Sequence, residues 1–326
     1  MLRSGLIQFP GESKINAHYF CDFIEILALD ASGDVVSVTD VVNKILEDDD
    51  LAIDSDIEQG TSEYSSKIDR LSSEVESWFS LLAERSLLFG KNYPYTISDQ
   101  SIRLRCTLSR DKLIYLFFLL ASNLNFIESG KRKFLTTGFE NLCCIAFKRY
   151  LPVISQVFVF GKSSATDSRY TGSKNEKIKK LASDLGLDYV EGKGEFSPKD
   201  HGDHGADIVA WTPFHSDVSK DRMDIYLGQC ATGKKWLAKQ SEVNKLNNKI
   251  HGIDRARSVL FIPYDIRNYS GFLFHGHELT VDLLVDRYRL CKLLTHLNTN
   301  WIDAYREIKM ILEEIRSLPA YLSSRY

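Results

Sequence analysis

The sequence of 326 residues predicts an α/β fold that follows a mainly helical region. In the first third of the chain apolar residues recur at helical spacing, as at Leu71, Val75, Trp78 and Leu82. Beyond about residue 156, short apolar runs typical of buried strands alternate with polar segments that carry helix signals. This alternation predicts a sheet with helices on its faces.

The first 130 residues are predicted to form a mainly helical module that binds a partner or substrate. Residues 15–29 alternate between apolar and polar without deciding between strand and helix, and Thr39 is expected to cap a helix that runs to about Leu46. The remaining predicted elements of this part are helices at 67–88 and 109–123 and a strand at 95–106.

The later elements divide into a core at residues 131–265 and C-terminal packing helices at 266–326. The core is predicted to hold helices at 137–150, 173–185 (stopped by Gly186) and 234–250, with strands at 156–160, 207–212, 223–230 and 258–262. The packing helices are expected at 279–297 and 301–318.

The composition is that of an ordinary globular protein, with 44% hydrophobic and 26% charged residues. No apolar run approaches the roughly 18 residues that a transmembrane helix needs, so no membrane association is expected. The six cysteines include no CxxC pair. A reduced, cytoplasmic protein with buried thiols is therefore expected.

The charge is uneven along the chain, although the net charge is only −3. Residues 30–58 contain ten acidic residues and one basic residue, Lys44, whereas residues 234–257 contain seven basic and two acidic residues. A protein that coats nucleic acid through bulk charge is disfavoured, but a local grip on phosphates is compatible with this pattern. The alternative is that both segments are solvated helix faces.

The most informative pattern surrounds two predicted strands. Asp203, Gly205 and Asp207 lead into the first strand, and Gln229 lies near the end of the second, with Lys234 four residues after that strand. A strand-borne acid, an amide and a lysine are the groups needed to hold a divalent metal against a phosphodiester and activate water. The alternatives are that Asp207 caps a turn and that Gln229 is a buried amide satisfied by the backbone.

These strands resemble the centre of the PD-(D/E)XK, or restriction-endonuclease-like, superfamily, and Gln229 in place of an acid resembles its Mrr-like branch. The resemblance covers roughly residues 137–262. It implies a restriction-endonuclease-like mixed sheet flanked by helices and a Mg²⁺-dependent DNA endonuclease, with Mn²⁺ as a substitute. It also implies a prokaryotic restriction or anti-phage defence setting.

The chain departs from the family at the lysine position, which is usually two residues after the acid or amide. Ala231 stands there, so the lysine role would fall to Lys234, Lys235 or Lys239. The long, flexible lysine stem permits such a migration.

The family also often carries a glutamate on a preceding helix, and two residues are candidates for it. Glu140 follows Phe139, as in the Mrr-like Phe-Glu pair, and Glu176 heads the predicted helix before the strands. Each also fits a capping box, with Thr137 and Ser173 respectively. Glu140 is favoured, so the metal ligands implied by the resemblance are Asp207, Gln229 and Glu140.

The basic segment after Gln229 is expected to contact the DNA backbone. Such phosphate contacts position a substrate without reading its sequence; the residues assigned to them are Lys234, Lys235, Lys239, Lys245 and Lys249. The alternative is that Trp236, Leu246 and Ile250 are core and that the lysines are solvated. Targeting by a partner protein and a homodimer are further expectations.

Two other functions fit parts of the sequence. Ala231 in the lysine position is compatible with a non-catalytic interaction subunit that retains the nuclease fold. The spacing from Gly228 through Gly233 to Lys234 fits a phosphate-binding P-loop, but Lys235 stands where that motif needs Ser or Thr.

Overall fold

The computed structural model describes residues 17–31, 33–48, 62–160, 169–191, 205–214, 223–274, 276–295 and 306–316. The chain divides into two compact units. Unit 1 comprises residues 1–132, 265–274 and 311–326, and unit 2 comprises residues 133–264 and 275–310.

Helices and strands alternate irregularly along the described residues. The α-helices are α1 (Ala17–Asp30), α2 (Val38–Asp48), α3 (Ser62–Phe89), α4 (Arg110–Ser122), α5 (Ser129–Tyr150), α6 (Lys174–Leu185), α7 (Arg287–Leu294) and α8 (Arg306–Arg316). The strands are β1 (Val36–Ser37), β2 (Tyr95–Ser98), β3 (Ser101–Leu104), β4 (Gln156–Val159), β5 (Asp188–Tyr189), β6 (Ile208–Thr212), β7 (Asp224–Cys230), β8 (Ile250–His251), β9 (Arg257–Phe261) and β10 (Leu283–Val285).

Unit 1 packs helices α1 to α4 around a small antiparallel sheet of order β1-β3-β2. Helix α4 is buried from Leu113 to Ser122, as expected for its continuous apolar run, and Ser109 caps its start by accepting a hydrogen bond from the N–H of Lys112. The predicted strand at 95–106 is instead the hairpin of β2 and β3, in which Ser98 pairs with Ser101.

A fully buried ion cluster lies within unit 1. The guanidinium of Arg85 on α3 contacts the carboxylates of Asp22 and Glu25 on α1, at 2.8 and 3.2 Å, and that of Asp265, at 3.0 Å. Tyr93, Tyr115 and Ser122 donate further hydrogen bonds to the carboxylates of α1. These polar bonds compensate for the removal of the charges from water.

Unit 2 is built on a five-stranded mixed sheet of order β10-β9-β7-β6-β4. Strands β4, β6 and β7 are antiparallel neighbours, whereas β9 is parallel to β7 and β10 is parallel to β9. A mixed α/β sheet is therefore present, as predicted.

Helices cover both faces of this sheet because the strands are apolar on both sides. Val209, Trp211 and Leu227 belong to a core that also contains Ile178 and Leu181 of α6. On the other face, Phe147 of α5 packs edge-on against Tyr226 of β7 and Phe261 of β9.

The predicted ends of α6 are confirmed. Ser173 and Glu176 form a capping box at its start, and Gly186 adopts a left-handed conformation (φ 67°) immediately after its last residue. These local signals suffice because both caps are made within a few residues of the helix.

Two other predictions were wrong. The predicted basic helix at 234–250 consists of two 3₁₀ segments, Trp236–Lys239 and Glu242–Asn248, followed by β8. The predicted helix at 279–297 contains strand β10 before the shorter helix α7. In both segments, contacts with the rest of the core rather than an α-helical repeat decide which apolar residues are buried.

Among the residues that the structure describes, no helix is both long and apolar enough to cross a membrane.

Candidate functional site

Asp207 and Gln229 meet at one end of the sheet in unit 2. Asp207 directly precedes β6, and Gln229 is the penultimate residue of the antiparallel neighbour β7. The backbone of Asp207 continues the sheet, because its N–H donates to the carbonyl of Gly228 and its carbonyl accepts from Phe160. The two side chains are therefore fixed by strand pairing.

One carboxylate oxygen of Asp207 bridges the two strands. Asp207 Oδ2 accepts a hydrogen bond from Gln229 Nε2 at 2.6 Å and another from the backbone N–H of Cys230 at 2.7 Å. Asp207 is only 5% exposed, so these bonds satisfy a carboxylate that is largely removed from water. Asp207 thus links strands rather than capping a turn.

The amide of Gln229 is only half satisfied. Its Nε2 donates to Asp207 and, at 3.4 Å, to the carbonyl of Cys230. Its Oε1 is buried and has no hydrogen-bond partner among the described residues. A buried carbonyl oxygen without a partner is costly, and a bound cation or donor would remove that cost.

The charges of Glu140 and Asp207 both affect the thiols of Cys143 and Cys230. Burial raises the pKa of both Cys143 on α5 and Cys230 on β7, and the carboxylates of Glu140 and Asp207 raise both values further. The charges of Glu140 and Asp207 therefore act on the same pair of neighbouring thiols. The structure joins Asp207 to Gln229 directly, whereas Glu140 is linked to them only through its effect on the pKa of these two thiols.

Glu176 caps a helix in the structure, whereas Glu140 does not. Glu176 Oε2 accepts hydrogen bonds from the backbone N–H and the hydroxyl of Ser173, so Glu176 is a cap. The predicted capping box of Thr137 and Glu140 was wrong, because both residues lie inside α5, which begins eight residues before Thr137. Glu140 is half-buried there.

Gly205 is required by the chain path into the site. Its φ of 88° is left-handed, and a Cβ atom there would lie 2.0 Å from the backbone oxygen of Glu242. Only glycine accepts both constraints. The glycine of the Asp203, Gly205 and Asp207 motif therefore has a structural role, whereas Asp203 lies outside the described residues.

The three candidate lysines lie beyond the end of β7 and are exposed. Partial burial lowers the pKa of Lys234. Lys235 and Lys239 form no ion pair among the described residues. Ala231, at the family's lysine position, is 4% exposed and donates its N–H to the carbonyl of Phe261.

The other two lysines predicted to bind DNA are differently placed. Lys245 pairs with Glu242, so its charge is partly neutralised. The prediction for Lys249 was wrong, because Lys249 is only 6% exposed and its carbonyl accepts a hydrogen bond from Val190. Trp236, Leu246 and Ile250 are buried, in agreement with the core interpretation of this segment.

The donor set suits a hard divalent cation, which prefers oxygen ligands. The described residues contain no group of three or more His, Cys, Asp or Glu side chains that could hold a metal. A metal at this end of the sheet would therefore need the amide oxygen of Gln229 beside the carboxylates of Asp207 and Glu140. The Oε1 of Gln229, which has no hydrogen-bond partner among the described residues, fits that requirement.

The P-loop alternative is not compatible with the structure. That motif needs a loop that leads from a strand into an α-helix. Here Gly228 and Gln229 are paired within β7, and a short 3₁₀ segment follows Lys235.

Three residues of this region were missed by the sequence analysis. Cys143 lies one helical turn after Glu140, and Cys230 follows Gln229 directly, so their spacing was the available signal. Asn141 is 1% exposed, and neither its amide nitrogen nor its amide oxygen has a hydrogen-bond partner in the described part of the chain. No sequence pattern distinguishes it from an ordinary helical asparagine.

No protein-family model, curated protein or solved structure matches this chain.

Proposed function

We propose that this protein is a metal-dependent endonuclease that hydrolyses DNA phosphodiester bonds at the end of the sheet in unit 2. The observation that carries the proposal is the direct pairing of Asp207 and Gln229, with the buried Oε1 of Gln229 left without a partner among the described residues. The resemblance of these strands to the PD-(D/E)XK superfamily supports the same assignment. So does the mixed sheet, because the antiparallel strands β4, β6 and β7 adjoin the parallel strand β9.

Each residue has a separate role in this proposal. Asp207, Gln229 and Glu140 would hold Mg²⁺ or Mn²⁺, and the bound metal would activate a water and stabilise charge on the scissile phosphate. The N–H of Cys230 and the amide of Gln229 hold the Asp207 carboxylate in one orientation. Water is partly excluded from this carboxylate, which strengthens its interaction with a cation.

Lys234 is the best candidate for the lysine role. It follows β7 by four residues, which is nearer to Gln229 along the chain than Lys235 or Lys239, and partial burial lowers its pKa. Lys234, Lys235 and Lys239 are the remaining candidates for contacts with DNA phosphates, since Lys249 is buried and Lys245 pairs with Glu242. Their exposure suits sequence-independent backbone contacts.

Cleavage of plasmid and linear DNA with Mg²⁺ or Mn²⁺ tests the proposal. Asp207→Asn removes one charge while it keeps the shape of the side chain. Asp224→Asn is the matched control, because Asp224 opens the neighbouring strand β7 at the opposite end of the sheet and its side chain is 60% exposed. The proposal expects cleavage by the wild type and by Asp224→Asn, and a loss of about 100-fold or more in Asp207→Asn.

Thermal melting gives a readout that does not depend on catalysis. A cation that binds the folded protein raises the melting temperature, and the proposal expects this increase with Mn²⁺ in the wild type but not in Asp207→Asn. No cleavage and no increase would refute the metal nuclease. Separate Lys234→Met, Lys235→Met and Lys239→Met variants identify the catalytic lysine. Replacing that lysine should lower the cleavage rate, whereas the metal-induced increase in melting temperature should be retained.

A second candidate function is an interaction subunit that retains the fold without catalysis. The observation in its favour is that β7 contains no lysine and that the family's lysine position, directly after β7, is the buried Ala231. This candidate expects neither cleavage nor a metal-induced increase in melting temperature. Purification from the native host with a co-purifying protein would support it, whereas recovery of this chain alone would count against it.

A further inference from the structure

The end of the sheet opposite Asp207 and Gln229 carries an exposed apolar cluster. Nine large hydrophobic side chains are exposed among the described residues, and four of them lie here. Val153 is 102% exposed, Phe214 65%, Tyr150 53% and Ile154 50%. We call these four residues, with the neighbouring Lys148 and Arg149, the distal face. It lies roughly 20 Å from Gln229 by the length of a seven-residue strand.

Strand pairing places these side chains together. Gln156 of β4 pairs with Trp211 of β6, so the residues before β4 lie beside those after β6. The hydroxyls of Ser155 and Thr212, which are 2.8 Å apart, confirm this proximity. Val153 and Ile154 therefore lie beside Phe214, whose strand ends at the same edge.

The aromatic part of the distal face is continuous with the sheet. The ring of Tyr150 stacks on that of Phe147, at 6.0 Å between centroids, and Phe147 contacts Tyr226 of β7 edge-on. The guanidinium of Arg257 lies 5.9 Å from the ring centre of Tyr226 and 3.7 Å from the carboxylate of Asp224, so its charge is partly compensated. The basic margin of this apolar surface is therefore supplied by Lys148 and Arg149.

The basic margin calls for an acidic partner. Lys148 and Arg149 lie in the last turn of α5, are exposed, and form no ion pair in the part of the chain that the structure describes. Exposed apolar clusters with a charged margin mark interaction sites, and complementary charge selects the partner. The partner segment should therefore carry several carboxylates together with apolar side chains.

The chain itself contains a segment of this composition. Residues 47–58 hold seven acids and no basic residue, with the apolar residues Leu51, Ala52, Ile53 and Ile57 between them. Its first residue, Glu47, is exposed near the end of α2, where the last turn has no basic residue and the helix dipole adds negative potential. We propose that the distal face binds the acidic segment 47–58 of a second copy of this chain.

Sedimentation of the full-length chain over a range of concentrations tests this proposal. The wild type should self-associate, and raising the salt from about 0.05 M to about 0.5 M should weaken the association. Reversing the face (Lys148→Glu with Arg149→Glu) or the segment (Asp49→Lys with Asp50→Lys) should weaken it by about tenfold or more. Combining both reversals should restore it, because opposite charges again face each other.

Matched variants separate this contact from general effects of charge. Lys179→Glu with Lys180→Glu makes the same charge change on the exposed side of α6 and should leave the association unchanged. Val153→Ser with Ile154→Ser should weaken the association without lowering the melting temperature, because these side chains are exposed. A chain that remains monomeric at every concentration overturns the proposal. So does an association that resists the segment reversal, since another occupant would then fill the face.

Discussion

Replacing Arg85 by Met should destabilise this protein far more than the loss of an exposed charge. The Arg85 guanidinium lies 2.8 to 3.2 Å from the carboxylates of Asp22, Glu25 and Asp265, and all four side chains are at most 3% exposed. Removing one partner of a buried ion pair costs about 3–5 kcal/mol, because the remaining charge stays buried without compensation. Typical stabilities are about 5–15 kcal/mol, so the loss would be a large fraction of the total.

The assay is urea unfolding followed by circular dichroism, with Arg70→Met as the control. Arg70 lies on the same helix α3, with its side chain 68% exposed and its Nε 3.4 Å from Glu74. An exposed pair of this kind contributes about 0–1 kcal/mol. A cost for Arg85→Met that is no larger than that for Arg70→Met would refute the argument that charge compensation holds this cluster together.

The pH dependence of the Arg85→Met variant supplies an independent check. Without the cation, carboxylates remain buried without a compensating charge, and that cost exists only at pH values at which carboxyl groups are ionised. The deficit of the variant should therefore be smallest near about pH 4 and grow towards about pH 7. A deficit that is constant over this range would contradict the electrostatic origin of the effect.

Three further outcomes are expected. Gly205→Ala should lower the free energy of unfolding by about 2 kcal/mol or more, because the new methyl group would lie 2.0 Å from a backbone oxygen at a φ of 88°. Urea unfolding measures this loss, with Gly233→Ala as the control because a methyl group there meets no atom within 4 Å. Asn141→Leu should leave stability unchanged or raise it by about 1 kcal/mol, since the buried amide has no hydrogen-bond partner among the described residues, and a lower melting temperature would contradict this. The N–H of Ser258 lowers the pKa of Asp282 through a hydrogen bond. The stabilisation that this bond gives to the folded state is therefore present above about pH 4 and is lost as pH falls through the lowered pKa. The free energies of unfolding of wild type and Asp282→Asn should converge in acid, and a constant difference between them would refute the role of this hydrogen bond.

Local signals determined much of the fold in advance. The capping box at Ser173 and the stop at Gly186 depend on contacts within four residues, and both were visible in the sequence. The strands that lead to Asp207 and Gln229 were equally visible, because buried strands require continuous apolar runs. The two site residues that were easiest to predict, Asp207 and Gln229, are those that the structure joins.

Tertiary structure decided what local signals left open. The segment after β7 has the residues of a basic helix, but Trp236 and Leu246 pack into the unit 2 core as parts of two 3₁₀ segments, and Lys249 is buried with them. The thiols of Cys143 and Cys230 meet although 87 residues separate them in the sequence. The ion cluster around Arg85 likewise joins α1 and α3 to Asp265.

The sequence by itself thus determined the α/β class, the ends of some helices such as α6, and the pairing of an acid with an amide at neighbouring strands. Propensity, capping and hydrophobic period act over a few residues, so a sequence states them directly. The tertiary structure alone decided which charges are buried, which lysines remain exposed and which buried polar atoms lack a hydrogen-bond partner among the described residues. Those outcomes depend on packing between distant segments, because burial is a property of the assembled core rather than of any one stretch of chain.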